Sequence, residues 1–171
     1  MSRRIVIVGP SASGKTTLAT AIAQELGCPM LSMDDYRQRG MYFVQHEGRK
    51  VRNYEDPRGW DANAIMCKLR VLCNVGQGFV AEGNHLLRYP DIAAIPEIET
   101  YYIDLSFATC LSRRKTRNRG TEPDWSFAQI GRRMTCEIVY PQRDVPGIRI
   151  LDGTLPTAEL ARRILQPALS T

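Results

Sequence analysis

The run Gly9-Pro10-Ser11-Ala12-Ser13-Gly14-Lys15-Thr16-Thr17 sets two glycines five positions apart, then a lysine, then a hydroxyl. Residue types at this spacing, G-x-x-x-x-G-K-[ST], can hold a polyphosphate. Gly9 and Gly14 let successive N–H groups bend toward one anion, with Ser11, Ala12, Ser13 and Thr17 in the same cradle. Lys15 has the length to reach β- and γ-phosphates, and the Thr16 hydroxyl suits Mg²⁺. Carboxylates close two apolar stretches further on: Asp34 and Asp35 after Pro29-Met30-Leu31-Ser32-Met33, and Glu82 after Phe79-Val80-Ala81. Phosphoryl transfer needs a metal to neutralise phosphate oxygens and often a carboxylate to take the acceptor's proton. Glu82 is expected on the Mg²⁺ side, through water, and facing the acceptor. Asp34 is expected as general base, with a place in the metal shell. Asp35 stands open between a site role and a solvated carboxylate, and Asp104 reads as structural.

Arg113, Arg114, Lys115, Arg117 and Arg119 crowd one segment before Gly120 and Pro123 break the chain. Such a run is ordinarily a solvated helix face. Here the reading preferred is a short basic lid, about 113–123, closing over a transferring phosphoryl group. Arg114 and Arg117, at i and i+3, share a helix face and are expected to act on phosphates, whereas Arg132 and Arg133 read as surface.

The elements that must position these groups alternate. A strand near 4–9, apolar and β-branched through Ile5-Val6-Ile7-Val8, leads into the glycine loop and a helix over 15–26 with Leu18, Ile22 and Leu26 on one face. A second strand ends at Asp34. The polar stretch 36–61 reads as loops with room for a short helix. A helix over 61–75 carries Ile65, Leu69 and Leu72, a strand ends at Glu82, and a turn or short helix follows through Leu86-Leu87. Strand 100–105, a helix from 107, another over 124–139, strand 148–151 and a last helix over 157–165 capped by Thr157 complete the order. This alternation predicts an α/β fold: a parallel five-stranded sheet with helices on both faces, in one domain spanning 1–171.

At 171 residues and a formal charge of +5 the chain can build such a core, and its cations fit a polyphosphate site without requiring nucleic acid. No apolar run approaches the ~20 residues that span a bilayer. Arg3-Arg4 leads straight into a strand with no signal peptide, so a cytoplasmic protein is expected. Cys28, Cys67, Cys73, Cys110 and Cys136 lack the spacing of a zinc site or disulfide framework, and buried or half-buried free thiols are expected.

The phosphate loop, Leu31-Ser32-Met33-Asp34-Asp35-Tyr36, Asn53-Tyr54-Glu55-Asp56-Pro57, Glu82-Gly83 and Leu111-Ser112-Arg113-Arg114-x-x-Arg117 occur in that order. Together they resemble the uridine kinase family of phosphate-loop kinases and the related nicotinamide riboside kinases. Leu151-Asp152-Gly153-Thr154 resembles the latter. The resemblance implies a three-layer P-loop NTPase fold, ATP as donor, Mg²⁺ and a hydroxyl acceptor. It implies Asp34 as base, Thr16 and Glu82 on the metal side, Arg114 and Arg117 on phosphates, and Gly153 beside the nucleotide. In that family an Asn-Phe-Asp-His-Pro segment holds ribose hydroxyls. Here Tyr54 stands for the phenylalanine, and Glu55 or Asp56 could serve as the carboxylate. Uridine kinases also carry a hairpin insertion before the Glu-Gly strand that builds part of the base pocket. This chain instead runs through Gly76-Gln77-Gly78 directly into that strand. His85 and Trp60 lie near the expected acceptor site, each with packing as the plainer alternative.

The leading reading is an ATP-dependent kinase of a nucleoside or similar small metabolite, acting as a monomer or homodimer without nucleic acid or membrane. A nucleoside monophosphate kinase would need extra cations for the acceptor phosphate, which Arg37, Arg39 or Arg88 could supply. A GTP-dependent switch finds a D-x-x-G in Asp56-Pro57-Arg58-Gly59, but no apolar strand before it and no N-K-x-D-like guanine reader. An ATP-binding protein without turnover is the remaining alternative.

Overall fold

A computed structural model describes residues 2–38, 43–46, 48–53, 56–117 and 131–166. Strand β1 (Arg4–Val8) lies at the centre because its residues are apolar on both faces. Ile5 and Ile7 point to one side with Val80, Tyr101, Ile103 and Leu151; Val6 and Val8 point to the other with Phe79, Ala81 and Tyr102. β2 (Met30–Ser32), an antiparallel hairpin of β3 (Phe43–His46) and β4 (Arg49–Arg52), β5 (Phe79–Glu82), β6 (Ile98–Asp104) and β7 (Arg149–Asp152) follow. The main sheet has five strands in the order β2-β5-β1-β6-β7, all parallel, as the sequence predicts.

Helices cover both faces. α1 (Lys15–Leu26) buries Leu18, Ala19, Ile22 and Ala23 on the Ile5/Ile7 side, beside Leu160, Ala161 and Ile164 of the C-terminal helix Thr157–Leu165. α2 (Ala62–Asn74), capped by Asp61 accepting the Ala64 N–H at 2.9 Å, buries Ile65, Met66, Leu69 and Leu72 on the opposite face. A one-turn α3 (Pro90–Ala93) and α4 (Phe107–Arg117) complete the helices before the undescribed stretch 118–130. Beyond it the chain turns helically through Arg132–Met134, a π-helical Thr135–Val139 and a 3-10 Tyr140–Asp144. Among the described residues no helix is long and apolar enough to cross a membrane.

Several expectations are corrected. The hairpin β3–β4 occupies part of the stretch read as loops. The last helix begins after Pro156, and Thr157 is its first residue rather than its cap. Arg113 to Arg117 lie on α4, in line with a shared helix face for Arg114 and Arg117; residues 118–123 of the expected lid lie outside the described residues. The helix expected over 124–139 is described only from 131, where it is broken into short turns. The cysteines are free, but Cys67 and Cys136 are exposed rather than buried.

Candidate active site

The loop between β1 and α1 bends as its glycines allow. Gly9 adopts φ 146°, and a Cβ there would lie 2.8 Å from the Ile103 carbonyl oxygen; Gly14 adopts φ 96°. Ala12 also sits at positive φ, 62°, a conformation that costs an L-residue roughly 1–2 kcal/mol and clusters at ligand clamps. No side chain caps the first turn of α1, an arrangement suited to an anion at its amides. Lys15, 6% exposed, folds back so that Nζ donates to the Pro10 carbonyl at 2.8 Å. Ser13 is buried, while Thr16 and Thr17 are exposed on the first turn.

Two arginines of α4 close on the same loop. Arg114 is buried and its Nη1 donates to Ser11 Oγ at 3.1 Å. Arg113 donates to the Gly153 carbonyl at 3.1 Å and the Ser13 carbonyl at 3.4 Å, joining the cradle to the turn after β7. The Gly153 N–H in turn donates to the Asp104 carbonyl at 2.8 Å. Arg117 ends α4, and its side chain lies outside the description.

On the acidic side, strand register does the positioning. Ser32 and Glu82 are partners in the parallel β2–β5 pair. Buried Glu82 Oε1 accepts hydrogen bonds from the Thr16 hydroxyl at 3.1 Å and the Ser32 hydroxyl at 2.5 Å. Ser32 Oγ also accepts the Asp34 N–H at 3.3 Å, capping the 3-10 turn Met33–Tyr36. Ser32 therefore joins Glu82 to the turn carrying Asp34. Sequence reasoning missed it, although a serine just before Met33-Asp34-Asp35 is an N-cap signal. Asp34 and Asp35 are both exposed.

Trp60 Nε1 donates to Asp34 Oδ1 at 3.3 Å. Fully buried His85 meets the Trp60 ring in a T-shaped contact, centroids 5.0 Å apart, and the Arg37 guanidinium lies 5.1 Å from its centroid. Buried Gln142 holds the loop carrying His85: Nε2 donates to the Asn84 carbonyl at 2.6 Å, and Oε1 accepts the Leu87 N–H at 3.2 Å. Asp56 is buried but engaged, taking Arg58 Nε at 2.9 Å on one oxygen and Nη2 at 2.8 Å on the other. The Arg58 hydrogen bonds hold the Asp56 carboxyl below its ordinary value against the opposing effect of burial. Tyr54 and Glu55 lie outside the described residues.

The arrangement brings together the glycine loop, the buried cations Lys15 and Arg114 held against it, and hard oxygen donors on Thr16 and Glu82. Among the described residues no three His, Cys, Asp or Glu side chains gather as a protein-only metal cage. A hydroxyl with one carboxylate fits a Mg²⁺ that keeps most of its waters and takes phosphate oxygens.

A sequence family described as an AAA domain matches residues 5–135. No curated protein matches the chain. Among solved structures, a sugar kinase from Janibacter sp. HTCC2649 aligns with TM-score 0.68 at 19% identity over 96% of this chain and 93% of its own. A gluconokinase from Sinorhizobium meliloti 1021 aligns with TM-score 0.62 at 19% identity over 95% and 89%. A shikimate kinase from Bacteroides thetaiotaomicron aligns with TM-score 0.56 at 14% identity over 95% and 95%. At these identities the likeness is one of fold.

Proposed function

The chain belongs to the AAA domain family and has the P-loop NTPase fold, and from that premise we propose that it is an ATP-dependent kinase of a small hydroxylated metabolite. The observation that carries this reading is the Thr16–Glu82–Ser32 hydrogen-bond chain, which sets the metal-side groups beside the phosphate cradle and one turn from Asp34. The names of the neighbours, a sugar kinase, a gluconokinase and a shikimate kinase, support a small-molecule acceptor. The motif order shared with uridine kinases keeps a nucleoside among the candidates.

In this reading the loop amides and the α1 N-terminus bind the phosphates. Lys15 exchanges the Pro10 carbonyl for the β- and γ-phosphates, and Arg114, with Arg117, bears on the transferring group. Thr16 and Glu82 would hold Mg²⁺, which neutralises charge on the phosphate oxygens. Asp34 takes the proton as the acceptor oxygen bonds to the γ-phosphorus and the bond to ADP breaks. The acceptor lies on the Asp34–Trp60–His85 side.

The deciding experiment is a panel of MgATP or MgGTP with uridine, uridine monophosphate, D-gluconate, shikimate and D-ribose, read as ADP or GDP release. Acceptor-stimulated release supports the kinase; nucleotide turnover indifferent to every acceptor sinks it. Arg37, seated on Trp60 close to Asp34, favours one second reading, a nucleoside monophosphate acceptor whose phosphate it would meet. Stimulation by uridine monophosphate alone, lost in Arg37→Met, identifies that case.

A further inference from the structure

Trp60 is 5% exposed and packs in the core cluster beneath the sheet's active rim, which by itself is ordinary for an indole. What is particular is where its one polar atom goes. A buried indole N–H seeks an acceptor, and here the acceptor is Asp34 Oδ1, on the exposed carboxylate assigned the proton-accepting role. The segment carrying Trp60 is tied to the segment carrying Asp34. Arg37 and Trp60 form an antiparallel bridge, the Gln38 N–H donates to the Gly59 carbonyl at 2.8 Å, and the Asp61 N–H to the Tyr36 carbonyl at 2.8 Å. The ring itself is held by the His85 edge and by Arg37, and the loop bearing His85 is pinned by Gln142.

We propose that Trp60 is a positioning residue for Asp34, fixing the carboxylate's rotation through one oxygen so that the other meets the acceptor hydroxyl. This rests on the reading of Asp34 as the proton acceptor. The indole suits the task because it donates only: it cannot compete for the proton that Asp34 must take. An exposed aspartate turns freely about two side-chain bonds, and proton transfer needs heavy atoms within hydrogen-bond reach. Holding one oxygen to a rigid, packed ring removes most of those unproductive orientations before the acceptor arrives. Rotation of the base, rather than nucleotide affinity, is therefore what Trp60 controls.

The test uses the full chain and whichever compound in the panel above stimulates ADP release most. Trp60→Phe keeps an aromatic ring and deletes the donor. Site-specific replacement of the indole by its benzothiophene isostere deletes only the N–H, and serves if the phenylalanine variant folds poorly. Loss of a hydrogen bond to a charged group lowers kcat by about tenfold or more. The affinity for MgATP by calorimetry and its KM should stay within about twofold, because the side chains that meet the Trp60 ring and its N–H among the described residues, Asp34, His85 and Arg37, lie outside the glycine loop. In an Asp34→Asn background the same replacement should cost less than about twofold, since the base being aimed is gone. Unchanged kcat in the isostere, or an equal loss with and without Asp34, overturns the proposal and leaves Trp60 as packing. If no panel compound stimulates release from the wild-type chain, the kinase reading itself fails, and that is visible before any variant is made.

Discussion

Asp34 and Asp56 illustrate how two carboxylates in neighbouring segments acquire different duties. Asp34 is exposed and, among the described residues, its carboxylate receives the Trp60 indole on Oδ1, so the other oxygen can serve a substrate. Asp56 spends both oxygens on Arg58 and also caps the turn Pro57–Gly59 through the Arg58 N–H at 3.0 Å. Asp34→Asn should therefore leave MgATP binding intact by calorimetry while cutting turnover by roughly 10²–10⁴-fold. Asp56 should instead matter to stability. Its folded carboxyl lies below the ordinary value of 3.8, so its contribution is present above that value and lost as pH falls through the lower folded one. Asp56→Asn should lower the urea midpoint at neutral pH, and the gap from wild type should narrow as the pH falls below 3.8 and through the lower folded value, where the native carboxylate takes up its proton.

At the scale of elements, the groups of the site are set by strand register and by loops clamped from a distance. Gln142 in the turn Tyr140–Asp144 satisfies both the Asn84 carbonyl and the Leu87 N–H. Gln142→Leu would strand these part-buried partners at a cost of up to about 1–3 kcal/mol each, read as a fall in the urea midpoint. Gln142→Glu should fall further, because a carboxylate oxygen would then face the Asn84 carbonyl. The cradle, β1, α1 and Glu82 were legible in the sequence because each is written locally: an apolar run, a glycine spacing, a helical repeat, a carboxylate at a strand end. The hairpin β3–β4 was not, since Gln45-His46 and Arg49-Lys50 interrupt any clean alternation of apolar and polar residues. Nor were the partners of Trp60 and Ser32 legible. The first depends on two segments 26 residues apart lying side by side, the second on the β2–β5 register. Arg113 was seen only as one charge in a run, because its grip on Ser13 and Gly153 exists only once α4 docks on the loop.

For the whole molecule, a ligand that binds only the folded state raises its stability. MgATP at 100 times its Kd adds about 2.7 kcal/mol, which in a chain of this length lifts Tm by roughly 5–10 °C. The lift should grow with ligand concentration and vanish in Lys15→Ala without a matching drop in the unliganded Tm, as followed by scanning calorimetry. Failure of the wild-type protein to respond would count against the cradle as a nucleotide site.

Five strands running one way also set the glycine loop, Ser32 and Glu82 at one rim of the sheet and the strands' starting ends at the other. Arg3, Glu99 and Arg149 interlock at the strands' starting ends, and Val75, 68% exposed, projects just ahead of β5. A probe or tether attached through Val75→Cys, with the exposed Cys67 and Cys136 replaced by serine, would thus hang from the foot of the sheet, away from the phosphate loop, for surface-immobilised or single-molecule recordings.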